Sequence, residues 1–239
     1  MEVKFGIAKI GKYATSESGD TVELIERPHG GVSLVLVDGQ RSGRPAKKIS
    51  NLVARKAIQL LAEGVRDGAA ARAAHDYLYT YRGGKVSATL NIVSVDAVTQ
   101  TLVVSRNNDA PVIVHTPQRG LFLLDEPSDS IGTRRNTKPV ITEIPVEVGP
   151  LVIAFTDGLR HAGSWHGGGA NCFDPTAATR DLLTEGVSAP QEIADRLLEG
   201  AVEMDDGRPR DDISVVVVAV SERASHDDDV RRLSGRMPI

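Results

Sequence analysis

Three apolar runs that each abut an aspartate constrain this chain more than any other feature. Residues 32–37 (VSLVLV) end at Asp38-Gly39, Leu151–Phe155 (LVIAF) ends at Thr156-Asp157-Gly158, and residues 213–220 (ISVVVVAV) begin directly after Asp211-Asp212. The runs are rich in β-branched residues and do not alternate with polar ones, the pattern of strands covered on both faces. A carboxylate at the end of such a strand stands on a rigid scaffold and projects into the crevice at the sheet edge. An isolated Asp-Gly is ordinarily a turn, but three acidic positions, each against a strong strand, are hard to assign to chance. Asp20, in Ser18-Gly19-Asp20 before a short strand over 22–25, is a fourth candidate.

Other segments fill in the class. Residues 87–95 and 101–105 form a predicted hairpin with 96–100 as its turn. Helical spacing over 45–63 is stopped by Gly64, and Asp67 is placed to cap an Ala-rich helix ending near Gly83-Gly84. Ser188-Ala189-Pro190-Gln191 has the spacing of a capping box ahead of Ile193, Leu197, Ala201 and Met204. Strands, two helices, many strands, one helix and a final strand make an α+β chain, not a doubly wound one.

The 239 residues suit one large domain, expected over 1–220, with 221–239 (Asp227-Asp228-Asp229, Arg231-Arg232) as a loose charged tail. With aromatics at 4% and a net charge of -4, no surface for nucleic acid or an anionic membrane is expected. The single cysteine, Cys172, excludes an internal disulfide and argues against a cysteine metal site. No basic-then-apolar leader and no spanning-length apolar run is read, so a cytoplasmic, soluble monomer is expected.

Carboxylates gathered in one place raise one another's pKa unless cations lie between them. Hard divalent ions such as Mg²⁺ and Mn²⁺ suit sites of carboxylate, carbonyl and water. The glycine after Asp38 allows a backbone carbonyl to approach an ion closely.

At this point the residues resemble the type 2C metal-dependent protein phosphatases (PPM family), most closely the bacterial sporulation and stress-response (SpoIIE-like) branch. Ser18-Gly19-Asp20, the run VLVDGQRSG at 35–43, Phe155-Thr156-Asp157-Gly158-Leu159 and Arg210-Asp211-Asp212-Ile213-Ser214-Val215 match in order. Between them, Ser87-Ala88-Thr89-Leu90 and Asn107-Asn108-Asp109-Ala110-Pro111 look like the family's mid-domain strand and turn.

The resemblance implies a four-layer αββα sandwich of two antiparallel sheets flanked by helices. It implies two Mn²⁺ or Mg²⁺ ions per site, a third being allowed. Asp38 would bridge them with the Gly39 carbonyl on one, Asp157 and Asp211 would hold the other, and Asp20 would act through metal-bound water. Asp211 aligns with the family's ligand, with Asp212 as its competitor. The catalytic roles of Asp38, Asp157 and Asp211 would run through metal-bound water, and the substrate would be a phosphoserine or phosphothreonine on a regulatory protein of a stress or sigma-factor circuit.

Two departures stand out. Gln40 occupies the position where animal and plant members often carry a histidine after Asp-Gly. The N-terminal arginine that grips substrate phosphate has no clear counterpart, with Lys9, Lys12 and Arg41 as substitutes. A variable flap is expected over about 160–189, where Trp165 reads either as a docking anchor or as a packing residue. His161 and His166 read as solvated loop residues, and Arg134-Arg135 as surface charges. The rival reading is a catalytically weak or inactive phosphatase-fold module that binds a phosphoprotein. A histidine-rich metallohydrolase is disfavoured because no histidine flanks an Asp motif.

Overall fold

The computed structural model describes residues 1–165, 172–223 and 230–237. In chain order the elements are β1 (Glu2–Ile10), β2 (Asp20–Glu26), β3 (Gly31–Gly39), α1 (Gly43–Ala62), α2 (Asp67–Arg82), β4 (Ala88–Asp96), β5 (Thr101–Asn107), β6 (Val112–Thr116) and β7 (Gly120–Leu124). They continue with β8 (Val140–Pro145), β9 (Leu151–Phe155), α3 (Asp157–His161), α4 (Pro175–Thr184), α5 (Pro190–Met204) and β10 (Ile213–Ser221). Two five-stranded antiparallel sheets result, ordered β1-β10-β9-β6-β7 and β2-β3-β4-β5-β8.

The non-alternating runs follow from what lies on each side of them. In β3, Leu34 and Leu36 face the sheet of β9 and β10, where they join Val152, Ala154, Val216 and Val218. Val35 and Val37 face the other way, onto Val53, Ala54 and Ala57 of α1. In β10, Val216 and Val218 enter the sheet–sheet core while Val215 and Val217 pack on Ile193, Leu197 and Ala201 of α5. Period-2 alternation therefore persists, but both faces are apolar because both are covered. Each fully buried Val or Leu contributes about 1.5–3 kcal/mol, so these central strands anchor the domain. The four layers are α1 and α2, two sheets, and α3 to α5, as an αββα sandwich requires.

Two expected caps are not formed. Arg66, not Asp67, is the N-cap of α2. The buried Asp67 carboxylate accepts from Ser94 Oγ and, at 3.1 Å, from Arg27 Nη1, so it ties α2 to the β-sheet instead of closing a helix end. Nor is Ser188 a capping residue, since Ala189 is the N-cap of α5 and makes no side-chain cap bond. Gln191 bridges to β1, donating to the Ile7 carbonyl at 3.0 Å and accepting from the Ile7 N–H at 3.1 Å. Gly6 makes that approach possible, because a Cβ there would lie 2.4 Å from the Gln191 backbone.

The segment expected to be a flap contains the end of α3, a buried Ala162 and the whole of α4. Asp174 caps α4, accepting from Thr176 and Ala177 N–H at 2.9 and 3.0 Å, with Pro175 next to it. His166, part of the expected flap, lies outside the described residues, as do Asp227-Asp228-Asp229 of the expected tail. Among the described residues no helix or strand follows β10, and Arg231 pairs with Glu26. No described helix is long and apolar enough to cross a membrane.

Candidate active site

The antiparallel register of β2 and β3 sets Asp20 directly opposite Asp38. Asp20 is fully buried, and its Oδ2 accepts from Ser214 Oγ at 2.6 Å and Thr156 Oγ1 at 3.0 Å. Those hydroxyls belong to the other sheet, so Asp20 is where the two sheets are tied at this end. Thr156 in turn joins β9 to β10 through its N–H to the Ser214 carbonyl and its hydroxyl from the Ser214 N–H, both at 3.0 Å. Lys9 and Lys47 each donate to the Asp20 carbonyl at 2.6 Å. The second carboxylate oxygen of Asp20, Oδ1, is buried without a hydrogen-bond partner.

Gly39 has a packing role that sequence reasoning did not assign. A Cβ at this position would lie 2.1 Å from the Ala46 carbonyl oxygen, so the missing side chain lets the first turn of α1 close over the end of β3. Gly158 plays the same part beside Asp157, where a Cβ would lie 2.2 Å from the Asp212 carbonyl oxygen. The side chain of Gln40 accepts the Ser87 N–H at 3.2 Å and so braces the β3–β4 edge.

Asp157 opens α3, and Asp211 stands in the turn just before β10. The neighbours Asp211 and Asp212 are set to different tasks. The buried Asp212 accepts Lys12 N–H at 2.9 Å on Oδ1 and Gly19 N–H at 2.8 Å on Oδ2, stapling the β1–β2 connection to β10. Asp211 is exposed and accepts only a local bond, from Asp212 N–H at 2.9 Å, among the described residues. Its charge acts on Asp38. The structure thus brings Asp20, Asp38, Asp157 and Asp211 together from two strands, a helix start and a turn, and directs Asp212 to backbone amides.

Burial and mutual repulsion among these carboxylates outweigh the opposing charges of Lys9 on Asp20 and of Lys12 on Asp211. Burial, then the charges of Asp20, Asp157 and Asp211, push Asp38 up to about 9. Burial raises Asp20 to about 6, against the opposing hydrogen bonds of Ser214 and Thr156. Partial desolvation by its surroundings, together with the charge of Asp157, also raises Asp211. Asp20 and Asp38 behave as one coupled pair that keeps a proton above the ordinary carboxylate range. Burial and the neighbouring Lys47 lower Lys9 to about 8.

Among the described residues no three His, Cys, Asp or Glu side chains form a metal cage by themselves. Ions held here by these carboxylates would complete their ligands with the Gly39 carbonyl and with water, the usual habit of Mg²⁺ and Mn²⁺. The all-oxygen donors and the unpartnered Asp20 Oδ1 fit such ions.

A sign follows for the cation-free protein. Asp38 titrates at about 9 when folded and near the ordinary 3.8 when unfolded, so between these values the folded state binds more protons. Stability should therefore fall as pH rises from 5 to 8. Thermal melts in chelator should show this decline, and added Mg²⁺ or Mn²⁺ should reverse it at pH 8.

The sequence matches the family described as Stage II sporulation protein E (SpoIIE) over residues 28–221. The chain belongs to the SpoIIE family. No curated protein sequence matches it. Among solved structures, the PP2C phosphatase domain of SpoIIE from Bacillus subtilis, solved with a fragment of its regulatory domain, is similar at TM-score 0.74 and 20% identity. That likeness covers 93% of this chain, which spans 64% of the Bacillus chain. RsbX in complex with magnesium is similar at TM-score 0.67 and 15% identity, covering 92% of this chain and 96% of RsbX. The catalytic domain of the serine/threonine phosphatase PstP, in complex with two manganese ions, is similar at TM-score 0.68 and 17% identity, covering 92% and 99%. At these identities the likeness is one of fold.

Several residues around this SpoIIE-family site have roles that the sequence did not reveal. The turn after β5 braces the Asp157 segment, through Asn108 Nδ2 to the Phe155 carbonyl at 3.4 Å and Asp109 to Arg160 at 2.9 Å. Arg106, fully buried, holds that turn by donating to the Asn108 carbonyl at 2.9 Å and to the Glu126 carbonyl. His161, read as a loop residue, ends α3 with Nδ1 3.8 Å from Asp157 Oδ2. Trp165 is exposed under the Arg210 guanidinium, so it is not a packing residue. Arg134 pairs with Asp129, and Arg135 donates to Tyr79.

Proposed function

We propose that this chain is a Mn²⁺- or Mg²⁺-dependent phosphatase that hydrolyses phosphoserine or phosphothreonine on a regulatory protein of a stress or sigma-factor circuit. The observation that carries this reading is the convergence of Asp20, Asp38, Asp157 and Asp211 at one end of both sheets. Asp38 and the Gly39 carbonyl would hold one ion, Asp38 would be shared with a second, and Asp157 and Asp211 would complete that second site. Asp20 would act from outside through water, its orientation fixed by Ser214 and Thr156. Asp212 is excluded as a ligand in this reading because its oxygens serve Lys12 and Gly19.

Two bound divalent ions would supply charge against the phosphoryl oxygens and acidity to water near neutral pH. With the four aspartates committed to cations, water is left as the nucleophile, in line with the departing serine or threonine oxygen. Gly39 and Gly158 keep the site closely walled by allowing α1 and the Asp212 backbone to approach. Gln40, engaged with Ser87, leaves protonation of the leaving group to solvent.

The test is phosphate release from phosphoserine and phosphothreonine peptides by chelator-stripped protein, before and after Mn²⁺ is restored. Turnover that appears only with the cation supports the reading. Turnover that persists in chelator contradicts it, and a protein that binds phosphopeptide but never turns it over is a binding module instead.

A further inference from the structure

Two exposed aromatic rings each carry an arginine from one short segment, the segment that leads into Asp211. Tyr13 is 57% exposed and Trp165 67% exposed. The Arg208 guanidinium lies 5.3 Å from the centre of the Tyr13 ring, and that of Arg210 lies 4.2 Å from the centre of the Trp165 ring. Both distances are within cation–π reach. Unlike a carboxylate, an aromatic face fixes a guanidinium without neutralising it, so its charge and its N–H donors remain available.

The backbone around these pairs is locked. Tyr13 N–H donates to the Pro209 carbonyl at 2.7 Å, and Arg208 N–H donates to the Asp205 carbonyl at 2.9 Å. The buried Asp205 carboxylate accepts from Gly163 N–H at 2.9 Å and Arg210 N–H at 3.0 Å. Asp205 thereby binds the segment carrying Trp165 to the segment carrying Arg210. The next residue is Asp211, about 3.8 Å away along the chain. Three connections, after β1, after α3 and after α5, meet in one positively charged, aromatic rim beside an acidic centre.

We propose that Arg208 and Arg210, held on Tyr13 and Trp165, form the docking rim for a phosphoserine- or phosphothreonine-bearing protein segment. Arg210 would take phosphoryl oxygens, and Arg208 and Tyr13 the peptide beside them. This inference rests on the phosphatase reading of the site. A planar guanidinium matches phosphoryl oxygens in a way that an ammonium does not. Of the substitutes read from the sequence, Lys9 is engaged on the Asp20 carbonyl.

Trp165 is the chain's single tryptophan, so its emission reports on this rim. The experiment titrates Mg²⁺-loaded protein with a peptide carrying a non-hydrolysable phosphonate isostere of phosphoserine, with the same peptide bearing serine, and with inorganic phosphate. The phosphonate peptide should shift Trp165 emission saturably, and the serine peptide should not. Arg210→Ala should weaken binding by roughly 10- to 100-fold, the scale of one lost charge-assisted pair, with partial recovery in Arg210→Lys. Arg208→Ala should weaken the peptide and leave inorganic phosphate less affected. An unresponsive emission, equal response to the serine peptide, or full affinity in Arg210→Ala would overturn the proposal. So would inorganic phosphate that matches the peptide in affinity and in sensitivity to Arg208→Ala. A responsive rim in a chain that never releases phosphate would remove the catalytic reading and keep this one. Efficient turnover with an unresponsive rim would do the reverse.

Discussion

Asp38→Asn should lower cation-dependent turnover by about a thousandfold or more, since even outer partners of metal ligands are worth roughly 10–100-fold. The same substitution should make the cation-free protein more stable at pH 8. Asp38 is half-buried beside Asp20, Asp157 and Asp211, and these surroundings push it up to about 9. Holding it ionised, or protonating it at pH 8, disfavours the folded state, and a neutral amide of the same shape removes that burden. Turnover of a phosphoserine peptide in saturating Mn²⁺ checks the first effect, and urea unfolding in chelator checks the second. Opposite signs in activity and stability mark a charge kept for function. A variant that loses both would instead make Asp38 a structural residue.

The second large effect concerns Gly39→Ala. The added methyl would lie 2.1 Å from the Ala46 oxygen, 2.8 Å from the Ala46 carbonyl carbon and 3.1 Å from the Ser50 nitrogen. All three are backbone atoms of α1, so relief requires moving the helix away from β3. Strain of this kind reaches about 3 kcal/mol or more. Gly43→Ala provides the control, because its φ of +67° is left-handed but nothing lies within 4 Å of the new methyl. That variant should lose about 1–2 kcal/mol, the conformational term alone. Chemical unfolding of both separates steric exclusion from backbone preference, and equal losses would show that α1 does not press on Gly39.

The fold was legible where burial on both faces had erased alternation, as in β3, β9 and β10. It was less legible at the edges and in short elements. The strands β6 and β7 have five residues each, too few for a period to show. The helix α4 was announced by Asp174-Pro175, a cap and first-turn pair that the flap reading passed over. Asp67 and Ser188 carried correct local signals, but tertiary partners took precedence: Arg27 and Ser94 captured Asp67, and the chain entered α5 one residue later than Ser188.

The site divides in the same way. Strand ends located Asp38, Asp157 and Asp211, and the β2–β3 register placed Asp20 opposite Asp38. The resemblance favoured Asp211 over Asp212, but the task of Asp212 was not readable, because Lys12 and Gly19, which occupy it, lie 200 and 193 residues away in sequence. The arginine rim was hidden for the same reason, its aromatic partners standing at 13 and 165.

Calorimetric titration of Mn²⁺ into chelator-stripped protein tests most directly whether these aspartates hold cations. Saturable binding of two ions is expected in the wild type, with at least one lost in Asp38→Asn and in Asp157→Asn, and none lost in Asp129→Asn, whose partner is Arg134. Absence of binding in the wild type, or binding unchanged in both Asp38→Asn and Asp157→Asn, would contradict a cation site at these aspartates.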